Sequence, residues 1–138
     1  MKQIFAALFA LTASSGIAAA NSESYTARNP HKFTMTFAMI NFVNGDWKGD
    51  ANFTISACPE KSCFHLSGKG SFPTNPKSQL YEGIYAIPGM PCDLHFVEVP
   101  HGDYDSGDWR ITPVVRNGMQ NGCASLPAGF AGVYAVVN

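Results

Sequence analysis

Lys32-Phe33-Thr34-Met35-Thr36-Phe37-Ala38-Met39 decides the fold class. Large apolar residues stand at 33, 35, 37 and 39 with small or polar ones between them, the period of two that marks a strand with one buried face. Asn44-Gly45-Asp46 follows with turn chemistry. Trp47, Gly49, Ala51, Phe53 and Ile55 then resume the alternation, with Thr54 and Ser56 on the opposite face. Phe64-His65-Leu66 continues past a short cysteine loop, so residues 51–66 read as a hairpin. Leu80 to Ile87, Leu94 to Val99, Trp109 to Val115 and Phe130 to Val137 are each rich in aromatic or β-branched residues and bounded by Gly, Pro, Asn or Asp. Residues 21–31 are polar, lack periodicity and are expected to be loose at the start. Residues 67–79, with two prolines and many turn formers, are expected to form a long loop. After residue 20 no i, i+3, i+4, i+7 stripe of helical length occurs. The expectation is an all-β domain, a small antiparallel barrel or sandwich of about seven to eight strands stapled by two disulfides. Gly83-Ile84-Tyr85-Ala86-Ile87 and Gly132-Val133-Tyr134-Ala135-Val136 echo one another and read as two strands in similar sheet positions, with glycine allowing close backbone approach.

The chain has 138 residues, 46% hydrophobic, 12% aromatic and 14% charged, a composition that excludes a disordered or low-complexity protein. Nine basic against ten acidic residues leave no cationic footprint for nucleic acid. Residues 1–20 read as a secretory signal peptide: Lys2 is the positive n-region, Ile4 to Leu11 the apolar stretch, and Ser14, Ser15 and Gly16 break it before Ala18-Ala19-Ala20. The apolar run is well short of the ~20 residues a bilayer span needs, so a membrane anchor is not expected. Residues 21–138 are then a single exported β-domain, periplasmic or extracellular. In an oxidising compartment Cys58, Cys63, Cys92 and Cys123 read as disulfides. Pro59 and Ser62 suit a tight turn joining Cys58 to Cys63, which leaves Cys92 with Cys123. The spacings match neither zinc-knuckle nor CxxC patterns.

Asp103-Tyr104-Asp105-Ser106-Gly107-Asp108 is the sharpest polar cluster, and Asp103, Asp105 and Asp108 are calcium candidates. The acids depart from EF-hand spacing, and the same letters between two strands spell a hairpin loop. His31, His65, His95 and His101 show no ligand spacing, and on one strand His95 and Glu98 face opposite sides. No Gly-x-Ser-x-Gly elbow and no free thiol are left for nucleophilic catalysis. Neither enzyme chemistry nor a cofactor is expected.

Leu66-Ser67-Gly68-Lys69-Gly70-Ser71-Phe72 places a cation and two hydroxyls beside a strand. On a loop, Lys69 can pair with a carboxylate in a partner's acidic cleft while Ser67 hydrogen-bonds it. With its Ser67-Gly68-x-x-x-Phe72 segment and its Cys123 to Gly132-Val133-Tyr134 tail, the chain resembles the small periplasmic lysozyme inhibitors of Gram-negative bacteria. The resemblance implies an eight-stranded barrel that pushes a serine and lysine loop into a muramidase cleft. The chain departs from that family in lacking a first-strand cysteine and a Tyr-x-x-x-Thr-Lys-Gly segment, and Lys77 is an equally available cation.

The functional expectation is an exported, non-enzymatic binding protein that inhibits, or gives immunity to, a cell-wall hydrolase. Ser67, Gly68, Lys69, Lys77 and Tyr104, on loops 67–79 and 101–108, and Trp109, which follows the second loop, are its candidate partner contacts. One alternative is a carbohydrate- or calcium-dependent module using Trp109, Tyr104 and the aspartates. Another is a secreted effector or toxin of a eukaryotic microbe, for which Asn52-Phe53-Thr54 is a usable glycosylation sequon.

Overall fold

The computed structural model describes residues 22–58, 62–101 and 104–137. The leader assigned to residues 1–20 lies outside them. Eight strands form one antiparallel sheet: β1 (Ser22–Arg28), β2 (Thr34–Ile40), β5 (Asp50–Ala57), β6 (Phe64–Ser71), β7 (Glu82–Ala86), β8 (Cys92–His101), β9 (Tyr104–Val115) and β10 (Gly132–Val136). A separate two-stranded hairpin, β3 (Phe42–Val43) and β4 (Asp46–Trp47), lies between β2 and β5. Asn44 and Gly45 at its turn both have positive φ, as a two-residue hairpin loop requires.

The strand order is β6-β5-β2-β1-β10-β9-β8-β7, which makes β1 and β10 the centre and leaves β6 and β7 to meet. Their seam is closed by side chains and loop contacts. The Tyr85 phenol packs on Gly68 and the Phe72 ring on Gly70, where any Cβ would overlap them. Tyr85 also donates to the Ser67 carbonyl at 3.4 Å, and the Glu82 amide donates to the Pro73 carbonyl at 3.1 Å. The result is a nearly closed barrel.

Alternation decides what fills it. Met35, Phe37 and Met39 of β2, Ala51, Phe53 and Ile55 of β5, and Cys92, Leu94 and Phe96 of β8 are buried, while their neighbours face out. Phe37 and Trp109 stack with ring centroids 4.9 Å apart. Phe72 lies 5.8 Å from Phe37, 4.7 Å from Phe96 and 5.6 Å from Trp109. In a small eight-stranded barrel the interior is just wide enough for side chains to fill.

Both expected disulfides, Cys58–Cys63 and Cys92–Cys123, are present, a pattern that fits a small domain matured in an oxidising compartment. Four expectations need correction. Residues 22–28 are not loose but form β1, paired along its length with β2; its inward residues Glu23, Tyr25 and Ala27 do not make an apolar stripe. Residues 67–71 belong to β6 and not to a loop, because glycines at 68 and 70 make room for inward rings while Ser67, Lys69 and Ser71 stay outside. Residues 104–108 belong to β9, and His101 of β8 pairs with Tyr104. The two echoing segments occupy different sheet positions, β7 at an end and β10 inside; Gly83 permits a close approach to Ser71, whereas Gly132 serves a φ of +136° with open space beside it.

Phe72→Ala is expected to cost about 3–5 kcal/mol, because it empties a fully buried position ringed by three aromatics. Urea unfolding followed by tryptophan fluorescence measures this directly.

Candidate partner-binding surface

The up-and-down course of the strands sorts the connections into two ends. The β1–β2 turn, the β5–β6 cysteine loop and the β7–β8 and β9–β10 connections share one end, and both disulfides lie there. Buried Asn29 ties that end together. Its Oδ1 accepts from the amides of His31 and Phe33 at 3.0 Å each, and its Nδ2 donates to the Gly129 carbonyl at 2.8 Å. The opposite end carries the β3–β4 hairpin, the β6–β7 connection and the β8–β9 turn. Among the described residues no disulfide restrains it, so noncovalent contacts set its shape.

The β6–β7 connection is held by a set of internal hydrogen bonds. Asn75 organises it: its amide donates to the Leu80 carbonyl at 2.8 Å, its carbonyl accepts from Gln79 at 2.8 Å, and its Oδ1 accepts from the Lys77 amide at 2.7 Å. This is the side-chain-to-backbone turn that asparagine favours. Ser78 adds a second clamp, accepting from the Leu80 amide at 3.2 Å and donating to Glu82 Oε1 at 3.4 Å. Tyr81 then pins the loop to the barrel. The Tyr81 amide donates to Glu98 Oε1 at 3.1 Å, and the Glu98 amide returns a bond to the Tyr81 carbonyl at 2.8 Å. The Tyr81 ring packs 4.8 Å from Trp47. Lys77 sits exposed on this braced turn, and its ammonium has no ion-pair partner among the described residues.

Behind the rim lies a layer of polar groups. Glu98 and Asp108 are only 4% and 5% exposed. Asp108 accepts from the Val136 amide at 2.8 Å and pairs with His101 Nε2 at 2.9 Å, so it fastens β9 to β10 and to the end of β8. Trp109 donates its indole N–H to the Tyr25 hydroxyl at 2.6 Å. Burial drives the Tyr25 phenol far above its usual range; the Trp109 hydrogen bond opposes this, and the charges of Glu98 and Asp108 add to it. Glu23 faces inward at the start of β1, and its Oε1 is buried without a hydrogen-bond partner. Burial raises its carboxyl from 4.5 to about 7.

The candidate residues therefore separate. Ser67 and Lys69 are exposed on the outer face of β6, with Gly68 between them beneath Tyr85, and their backbone is fixed by pairing with Thr54, Phe53 and Asn52. Lys77 is brought to the loop end. Trp109 is 2% exposed inside the core, which corrects its reading as a partner contact or sugar platform. Asp108 is committed to His101 and Val136, which corrects its reading as an available calcium ligand. Asp103 and the side chains of Tyr104 and Asp105 lie outside the described residues. Among those described, no group of three or more His, Cys, Asp or Glu is placed to hold a metal ion. Asn52 is exposed, as its alternation with Phe53 implies.

Sequence reasoning missed the Glu98–Tyr81 clasp and half-buried Glu23. Glu98 was detectable in principle, because it continues the inward register of Leu94 and Phe96. Glu23 carried no such signal, since its strand was not recognised.

A folded-state carboxyl near 7 against an ordinary 4.5 makes the folded chain bind more protons than the unfolded one between those values, so stability falls as pH rises through that window. Glu23→Gln removes the effect. Its stability relative to wild type is expected to improve steadily from pH 4.5 to pH 7 and to level off above, as read from thermal melts across that range. Comparison of the chain with protein-family models, with curated proteins and with solved structures finds no match in any of the three.

Proposed function

We propose that this chain is an exported, non-enzymatic binding domain that blocks a cell-wall hydrolase of the lysozyme type, with the braced turn around Lys77 entering the enzyme's acidic cleft. The observation that carries this reading is the preorganisation of residues 75–81. Asn75, Ser78 and the Glu98–Tyr81 clasp hold the turn before any partner arrives, so little ordering entropy opposes binding. A cation on a rigid protrusion suits a concave acidic site, where desolvation strengthens its pairing with a carboxylate.

Two further features support binding over catalysis. The interior is filled by aromatic rings, and the buried carboxylates Glu98 and Asp108 accept backbone amide hydrogen bonds that hold strands together. Ser67 and Lys69 then stand as a second, lateral contact on the face of β6 and not as the inserted element.

The test is muramidase activity on cell-wall substrate with and without the oxidised mature protein, across several lysozyme types. Dose-dependent inhibition is expected with at least one; none with any of them would overturn the reading. Lys77→Ala should weaken inhibition by about 2 kcal/mol or more, whereas Lys69→Ala, on an exposed strand face, should change it by less than about 1 kcal/mol.

A further inference from the structure

The outer face of β1, β2, β5 and β6 is a register-aligned array of hydrogen-bonding side chains. One row across the four strands reads Thr26, Thr36, Thr54 and Ser67. The row nearer the loop end is Ser24, Ala38, Asn52 and Lys69, and the row nearer the stapled end is Arg28, Thr34, Ser56 and His65. Adjacent strands place neighbours about 4.8 Å apart, and rows repeat roughly every 6.7 Å along a strand. Apart from a 3.4 Å bond from Arg28 Nε to Thr34 Oγ1, the side chains of this array make no hydrogen bond to one another among the described residues. Ser24, Arg28, Thr36, Asn52, His65, Ser67 and Lys69 are exposed, and Thr26, Thr34, Thr54 and Ser56 are half-buried among them.

Charge is distributed unevenly over the barrel. Arg28 and Lys69 stand at diagonally opposite corners of the array, and His65 occupies a third corner, in the row of Arg28 and on the strand of Lys69. Among the described outward residues of these four strands the acid is Asp50, beyond the last row and hydrogen-bonded to Asn41 at 3.0 Å. A chain of net charge −1 thus presents one broad face that is cationic and rich in hydroxyls. No large apolar side chain stands in those three rows, so the face lacks what would enter a lipid headgroup layer.

We propose that this face binds an acidic polysaccharide, with Arg28 and Lys69 pairing with carboxylates of the polymer and Thr36, Thr54 and Ser67 exchanging hydrogen bonds with its hydroxyls. The strand-to-strand spacing is close to the rise of one sugar residue in an extended glycan laid across the strands, so successive sugars meet successive strands. The site is separate from the Lys77 turn and does not depend on it.

The test uses sodium polygalacturonate as probe, dextran as the neutral counterpart and phosphatidylglycerol vesicles as the lipid counterpart, with binding measured by calorimetry at low ionic strength on the oxidised protein. Polygalacturonate is expected to bind and dextran and vesicles not to. Arg28→Gln or Lys69→Gln should each weaken binding roughly three- to fivefold. The double variant Thr36→Val, Thr54→Val, which keeps strand-compatible shapes, should weaken it roughly threefold or more. Lys77→Gln should leave it unchanged, which separates this site from the Lys77 turn. The proposal is overturned by absent polygalacturonate binding, by equal binding to vesicles, by an unaffected valine variant whose melting temperature is native, or by equal loss with Lys77→Gln. Should the valine variant not fold, Arg28→Gln and Lys69→Gln set against Lys77→Gln decide the matter alone.

Discussion

Everything in this molecule depends on filling the interior of an eight-stranded barrel. Phe37, Phe72, Phe96 and Trp109 meet there at ring separations of 4.7 to 6.1 Å, and buried aromatics of this kind contribute large area burial together with favourable edge and offset contacts. The same packing closes the seam, since Phe72 and Tyr85 rest on the two glycines of β6 where no other residue leaves room. A barrel filled this way keeps its chemistry on its rim and its outer surface. That constraint moves Trp109 from candidate contact to core and turns attention to residues that no buried network uses.

The two ends divide the work. Both disulfides and the Asn29 network hold one end, so the chain there is restrained by covalent and buried polar contacts. The other end is held by noncovalent contacts: Asn75 and Ser78 within the turn, Glu98 to Tyr81 beneath it, the Tyr81 ring on Trp47, and Asp108 to Val136 and His101 beside it. Buried carboxylates that accept backbone amides are well satisfied, and removing either partner leaves a costly orphan. The turn over residues 75–81 is therefore braced without a staple.

Much of the fold was legible because period-two alternation is a direct image of one face buried and one exposed. Phe33 to Met39 and Phe53 to Ile55 are clear cases, and the cysteine pairing followed from spacing and turn composition. The failures share a cause. In β1 the inward positions are Glu23, Tyr25 and Ala27, and in β6 they include Gly68 and Gly70. At both places the buried face is made by something other than a large apolar side chain. Only the neighbours across the sheet, Phe37 beside Tyr25 and the rings of Tyr85 and Phe72 over the glycines, turn those segments into strands. The candidate site was legible in its cations but not in its geometry. Lys69 and Lys77 look alike in sequence, and what separates them, a ladder position against a braced turn, is set by long-range pairing.

Amide hydrogen exchange of the oxidised protein, with and without a muramidase, tests most directly the proposal that the loop end is the working surface. The account predicts added protection in residues 73–81, with the disulfide-stapled end unchanged. Protection confined to the stapled end, or none at residues 73–81 in a stable complex, would contradict it.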